Sequence, residues 1–405
     1  MGDNVTFVYN ITENNNTTTT ITPEDDGQIP PKLPTLSDIL MEHSEYVWAV
    51  NLGIYVFPVI IGLGTIGNVL SFLVMIRRTM IITPTCFYMA ILAVSDTLIL
   101  YVNCLRKWFF ITYGEDSWNL NIASCRVVYF LSYTSFQYSV WIIVAMTTER
   151  FFAIRYPLKF LTLGTVGKTK VVCLILLCFF MLLNCQFTWS VKIDKNGKCI
   201  PEENYSEFHS NIVPWLDAVF YSYLPFIILF TFNVLIIWSF NKAHKRQKNL
   251  HGDRNARKST SQNRNSINQR MTAMLLSVTF AFVILTAPKA ILFCIRNEVF
   301  MFLKYQNAPP DFKEVALYAL ITRIADLCIY TNHAINFLLY CASGQRFRKE
   351  MKLMFSCGAT RRASLSVYSS KYPQTSRYNT MQTISSNLVL YDNGQESNEQ
   401  HENSV

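Results

Sequence analysis

The hydrophobic positions of this chain gather into seven long blocks parted by polar stretches. They run over Leu52–Ile76, Phe87–Leu105, Cys125–Thr148, Val171–Trp189, Pro214–Phe240, Met271–Ile295 and Val315–Cys341. A helix needs about 20 predominantly apolar residues to cross the hydrocarbon of a bilayer, so each block predicts one spanning helix. The second, third and seventh blocks contain polar residues, which in lipid must turn inward and find partners. Beyond the seventh, Phe347, Met351, Met354 and Phe355 recur at helical spacing, with Arg346, Arg348, Lys349 and Lys352 opposite. That pattern predicts a short helix lying on the membrane surface. The expected fold is an all-α membrane protein: a seven-transmembrane helix bundle with a short amphipathic eighth helix.

Composition removes the competing classes. Of 405 residues, 51% are hydrophobic and 16% are charged, whereas soluble domains carry about 25% charged residues. A chain so poor in charge cannot cover itself in water. Disorder throughout is excluded, and the net charge of +9 does not mark a nucleic-acid partner. Eleven cysteines are too few for a disulfide-built scaffold. No HExxH, GxSxG or P-loop motif stands in a useful context, so no enzyme is expected.

Charge also sets the expected orientation. With the N-terminus outside, 24 of the 36 Lys and Arg residues fall in cytoplasmic segments, as the positive-inside rule requires. Residues 1–45 have one Lys against eight acids. Asn4, Asn10, Asn15, Asn16 and Asn204 each head an N-x-[ST] sequon, and all fall on the outer side as glycosylation candidates. Residues 1–45 therefore read as a disordered, glycosylated extracellular tail, 46–357 as the seven-helix domain and 358–405 as a disordered cytoplasmic tail. No apolar signal core lies in 1–45, so the first span is expected to double as the targeting signal. The expected location is the plasma membrane, multi-pass, with the C-terminus cytoplasmic.

The polar residues within the spans form an ordered series. Asn68 lies in the first block and Leu92-Ala93-Val94-Ser95-Asp96 in the second. Cys125 opens the third, which ends Thr148-Glu149-Arg150-Phe151, with Pro157-Leu158 following. Pro225 and Pro288 interrupt the fifth and sixth, and Asn336-Phe337-Leu338-Leu339-Tyr340 closes the seventh before Ser343-Gly344-Gln345-Arg346-Phe347-Arg348. In this order and spacing the chain resembles the rhodopsin-like G-protein-coupled receptors from Leu52 to about Cys357. The Thr83-Pro84-Thr85 entry to the second helix and Ser139 to Val144 in the third resemble invertebrate neuropeptide receptors of the FMRFamide and thyrotropin-releasing-hormone-like group. Departures are visible too. The seventh-helix proline is replaced by Phe337, which questions a kink there. The sixth-helix tryptophan is absent from Leu285-Thr286-Ala287-Pro288, and Asn233 stands where a tyrosine is common.

The resemblance implies roles. Cys125 and Cys199 are expected to form the external disulfide. Glu149, Arg150, Pro157, Leu158, Asn336 and Tyr340 are expected to serve G-protein coupling and activation, with Val140, Pro225, Phe282 and Pro288 as the switching relay. An acid that would lock Arg150 to the sixth helix is replaced by Asn268, so basal activity is expected. Asp96, Ser139, Asn332 and Asn336 match a sodium site of oxygen ligands, although His333 beside them competes, so sodium is expected to bind weakly or not at all. No other cofactor is expected. Cys357 is a lipidation candidate beside the basic amphipathic helix.

The ligand is expected in the outer half, near Arg106, Lys107, Ser132, Asp217, Tyr221, Lys289, Arg323 and Asp326. Buried charges need partners, and these cations outnumber the acids, which suits an acidic or carbonyl-rich peptide with one acid left for a cationic group. An i, i+3 pair of Arg323 with Asp326 is the alternative. Ser132 stands where amine receptors carry Asp, and Tyr330 where light-sensing members carry Lys, which disfavours both. The expected function is a neuropeptide receptor with heterotrimeric G protein, arrestin, receptor kinases and membrane lipid as partners. The alternatives are a constitutive or non-peptide receptor, or a seven-helix channel or transporter.

Overall fold

The computed structural model describes residues 36–114, 121–156, 160, 164–195, 197–250, 274–293 and 311–356. Among these, six helices are long and apolar enough to cross a membrane: Ser44–Met75, Pro84–Tyr113, Ile122–Arg155, Val166–Thr188, Glu203–Ser239 and Met274–Phe293. They correspond to the first six blocks but run past several block ends. Apolar windows measure only the hydrocarbon crossing, whereas hydrogen bonding carries a helix on through polar residues.

The seventh block is also helical, as Phe312–Ala334 followed by Asn336–Ser343. It is not among the six because Lys313, Glu314, Arg323, Asp326 and His333 interrupt its apolar run. A further helix, Gln345–Phe355, matches the predicted amphipathic element. One boundary needs correction. The stretch read as tail up to residue 45 includes a helix at Leu36–Leu40, whose Leu40 is buried and which packs on the seventh helix.

Helix three is the hub of the bundle and contacts helices two, four and five. Polar side chains tie them to it. Ser95 Oγ donates to Ser135 O at 3.3 Å, Asn184 Nδ2 to Gln137 Oε1 at 2.8 Å, and Trp141 Nε1 to Phe220 O at 2.8 Å. Helix one packs on helices two and seven through small residues. A side chain at Gly64 would strike Leu100 and Ala334, and one at Gly67 would strike Phe337. Apolar residues such as Leu63, Ile66, Leu174, Ile175, Leu182, Ile227 and Phe230 stay exposed on the rim, which suits lipid.

Two helices loosen where the site lies. Helix two has π pairing over Leu100–Leu105, and helix five over Ala218–Tyr223. Such π segments are common at functional positions. The Trp141 indole satisfies the Phe220 carbonyl within the second of them. Helix seven breaks at Ile335 despite lacking proline. The Asn68 amide donates to His333 O at 3.1 Å, taking a carbonyl whose helical partner would be the Phe337 N–H. A side chain inserted into the ladder interrupts a helix as proline does.

Candidate functional site

At one end of the bundle Cys125, in the first turn of helix three, is disulfide-bonded to Cys199. Asn121 and Ser124 cap that turn reciprocally, with Ser124 N donating to Asn121 Oδ1 at 2.8 Å. Cys199 begins the second strand of a hairpin, Val191–Ile193 paired with Cys199–Pro201, which turns through Gly197 at φ 75°. Phe187, Val191 and Val213 pack around the bridge. The hairpin is thereby held against helix three. Asn204 is exposed on the short 3₁₀ turn beyond it.

Beneath this end lies a three-member ionic cluster. Lys107 Nζ is 2.8 Å from Asp326 Oδ2, and Lys289 Nζ is 2.7 Å from Asp326 Oδ1. One carboxylate on helix seven thus joins an ammonium on helix two to one on helix six, leaving the cluster with a surplus positive charge. The side chains of Lys107 and Lys289 are 19% and 20% exposed, against 6% for Asp326. The cations therefore remain within reach of a ligand. Asp326 does not pair with Arg323, as the i, i+3 alternative had it. Arg323 lies instead over the Phe57 ring at 5.5 Å, and its buried Nε has no hydrogen-bond partner. Arg106 lies over Tyr129 at 5.5 Å. Ser132 is buried and hydrogen-bonds Asn103.

Asp217 and Tyr221 stand one turn apart on helix five. Asp217 faces Gln137 and lies near Lys289, while Tyr221 is buried with its hydroxyl unpartnered. The Tyr221 ring meets Phe136 edge-on, with centroids 5.2 Å apart.

A second polar network occupies the middle of the bundle. Asp96, fully buried, accepts from Ser139 Oγ at 2.8 Å, from Asn336 Nδ2 at 2.6 Å and from His333 Nδ1 at 2.8 Å. A ring nitrogen facing a carboxylate carries the proton. Asn332 is buried nearby in sequence without joining Asp96. The carboxylate is thus surrounded by N–H and O–H donors. A hard cation requires a shell of oxygen ligands, and an imidazole N–H and an amide nitrogen take the places where such an ion would approach. In this arrangement N–H and O–H donors, rather than a shell of oxygen ligands, surround the Asp96 carboxylate.

The end opposite the disulfide carries Glu149 and Arg150. No hydrogen-bonded ion pair joins them among the described contacts, although each lies close enough to feel the other's charge. Glu149 Oε1 and Arg150 Nε are buried without hydrogen-bond partners, as is the Tyr340 hydroxyl, whose ring meets Phe347 at 5.7 Å. Asn233, where the resemblance leads one to look for tyrosine, accepts from Thr279 Oγ1 at 3.1 Å and so links helices five and six. Val140, Phe282 and Pro225 are buried, and Pro288 is half-buried. Pro157, Leu158, Asn268, Cys357 and the sequons at Asn4, Asn10, Asn15 and Asn16 lie outside the described residues.

Phe136 escaped the sequence reading. Its ring touches Tyr221, Tyr330 and His333, the last two at 6.5 and 5.6 Å. Tyr330 in turn lies beneath Lys107, 5.9 Å from ring to ammonium. An aromatic residue in an apolar helix carries no signal of this kind, since Phe occurs 29 times in the chain.

A bundle of apolar helices with polar clusters at two depths and a disulfide-tethered hairpin is the architecture of a multi-pass membrane receptor. The family profile described as 7 transmembrane receptor (rhodopsin family) matches residues 67–340. The chain belongs to this family, which consists of receptors and not of enzymes. It is 27% identical over 325 residues to the thyrotropin-releasing hormone receptor of Mus musculus, covering 74% of this chain and 77% of that protein. It is 25% identical over 336 residues to growth hormone secretagogue receptor type 1 of Sus scrofa, covering 80% and 84%. The FMRFamide receptor of Drosophila melanogaster is 24% identical over 310 residues, covering 72% and 52%.

Proposed function

We propose that this protein is a plasma-membrane receptor for an extracellular neuropeptide. The peptide enters at the disulfide end, and heterotrimeric G protein couples at the Glu149–Arg150 end, with the N-terminus outside and the C-terminus cytoplasmic. The observation that carries this reading is the Lys107–Asp326–Lys289 cluster with Arg323 beside it. It is a partly exposed, net-positive group linking helices two, six and seven, suited to the carbonyl-rich or acidic groups of a peptide. The names of all three relatives denote peptide or secretagogue receptors, which supports the ligand class. Arrestin, receptor kinases and an acyl chain at Cys357 are further partners within this reading.

Binding of a ligand to these lysines differs in strength between resting and active arrangements of helix six, and only that difference shifts the population. Helix six carries Lys289, so an anionic or carbonyl group competing for its ammonium changes what holds helix six to helix seven.

The test is expression in cells with a promiscuous G protein and calcium readout against a library of short amidated peptides. A nanomolar response is expected. Lys289→Gln, which leaves Lys107 and Asp326 as a balanced pair, is expected to raise the half-maximal dose about ten-fold or more at unchanged surface expression, the loss of a charge-assisted hydrogen bond. Silence across the library at good surface expression would overturn the peptide reading.

The Asp96 network leads to a second expectation: sodium has no specific effect. The melting temperature of purified receptor should be the same in sodium chloride and in choline chloride at equal ionic strength. A rise specific to sodium would show that the donors around Asp96 rearrange to admit the ion.

A further inference from the structure

The charges of the outer site are unevenly satisfied. Lys107 and Lys289 both hold Asp326, at 2.8 and 2.7 Å. Asp217 is different. Lys289 is close enough to be felt by it, but its ammonium is committed to Asp326. Among the described residues, the side chain that bonds Asp217 is the neutral amide of Gln137. The oxygen of that amide already accepts from Asn184 Nδ2 at 2.8 Å, so it is the nitrogen that remains for the carboxylate. Gln137 and Asn184 are 1% and 3% exposed, which fixes the amide and, through it, Asp217.

A carboxylate offers about four lone-pair sites, and among the described residues one amide donor leaves most of them open. No ion pair to Asp217 is present among the described residues. One turn further along, the buried Tyr221 hydroxyl has no partner either. Four positions apart, these two residues share one face of helix five. Two oxygen acceptors at this spacing, one of them anionic, match a planar group with several N–H donors. A guanidinium has five in a fixed fork, and it pairs with a carboxylate in a two-pronged manner that an ammonium cannot reproduce.

From this arrangement we infer that Asp217, with Tyr221, is the subsite that takes an arginine side chain of the ligand. The inference rests on the peptide reading and adds polarity to it. The surplus positive charge of the Lys107–Asp326–Lys289 cluster repels a guanidinium, so the arginine is directed to helix five and the carbonyl or acidic part of the peptide to helices two and seven.

The experiment uses purified full-length receptor in lipid nanodiscs. The probes are a panel of amidated tetrapeptides each bearing one arginine, and a matched panel with citrulline, which has the same shape and no charge. Binding is measured by ligand-observed magnetic resonance and titration on wild type, Asp217→Asn and Tyr221→Phe. At least one arginine peptide is expected to bind wild type about ten-fold or more tightly than its citrulline counterpart, the scale of a charged hydrogen bond. Asp217→Asn should erase that preference, and Tyr221→Phe should reduce it. Equal binding of the two panels to wild type would overturn the inference while leaving the peptide reading intact. So would a preference that survives in Asp217→Asn. Failure of both panels to bind overturns the peptide reading for this ligand class and the inference with it. The comparison of the two panels on wild type decides the matter even where Asp217→Asn does not fold.

Discussion

Asp326→Ala is expected to lower the folded, surface-expressed fraction of this receptor about ten-fold or more, the largest effect of any single change in the outer half. Asp326 is the acceptor for both Lys107 and Lys289. Its removal leaves two ammonium groups facing each other among apolar helices. Breaking a buried pair by deleting one partner costs about 3–5 kcal/mol in soluble proteins, and about 1.4 kcal/mol is already ten-fold in an equilibrium. The two lysines are 19% and 20% exposed, so water recovers part of that cost and the lower end of the range applies. Lys107→Met and Lys289→Met should each be far milder, because a one-to-one pair survives. Flow cytometry of an epitope-tagged receptor and thermal denaturation after purification read the fraction directly. The triple replacement Lys107→Met, Lys289→Met, Asp326→Leu should restore folding, since a matched apolar set replaces the charges, while the peptide response stays lost. Normal surface levels of Asp326→Ala would show that the cluster does not hold helices two, six and seven together.

Much of this was readable from the chain alone. Six apolar blocks became six helices because lipid leaves a backbone no other way to satisfy its polar groups. The seventh was legible as an apolar block interrupted by Arg323, Asp326 and His333, which lower its hydropathy, and Asn336 and Tyr340 agreed with it. The charged residues of the outer site were foreseeable because charges within a span need partners. Which partner each takes was not. Asp326 is one turn from Arg323, yet two lysines from helices far away in sequence hold it. Local spacing favours the i, i+3 pair, and tertiary packing overrides it. The π segments of helices two and five, which adjoin the turns that carry Lys107 and Asp217, left no mark in the sequence.

The break in helix seven shows how one missing residue is replaced by another interaction. With Phe337 where proline is usual, the sequence questions a kink. The Asn68 amide makes the break instead by taking the His333 carbonyl. The same segment supplies His333 to Asp96, so the break and the central network are built from adjacent groups. Phe136 connects that network to the outer site, its ring meeting Tyr330 and Tyr221 as well as His333. The outer cluster and Asp96 are therefore joined by contiguous packing through Tyr330, Phe136 and His333, without the sixth-helix tryptophan. Contact of this kind is a route for coupling only if both ends bias one two-state element, and helix seven is the element that carries Asp326, Tyr330, His333 and Asn336.

Asp96→Ala tests that element most directly and is expected to abolish ligand-driven G-protein activation while also destabilising the receptor. The carboxylate accepts from Ser139, His333 and Asn336 within 2.8 Å. Its loss strands three buried donors, each worth about 1–3 kcal/mol when left unsatisfied. It also removes the mid-bundle ties of helix two to helices three and seven, leaving Ser95–Ser135 and Lys107–Asp326. Asp96→Asn keeps the shape and one acceptor oxygen, so it should fold better than the alanine variant yet remain impaired, because an amide cannot accept from three donors. His333→Phe should be milder in folding than either, as Ser139 and Asn336 still satisfy the carboxylate and the ring still meets Phe136. Its effect should fall instead on signalling. Melting temperatures of the purified variants, set beside ligand-driven nucleotide exchange at matched receptor concentration, separate the two losses. If Asp96→Ala melts and signals like wild type, the three hydrogen bonds do not hold helix seven, and the coupling from the outer site must run elsewhere.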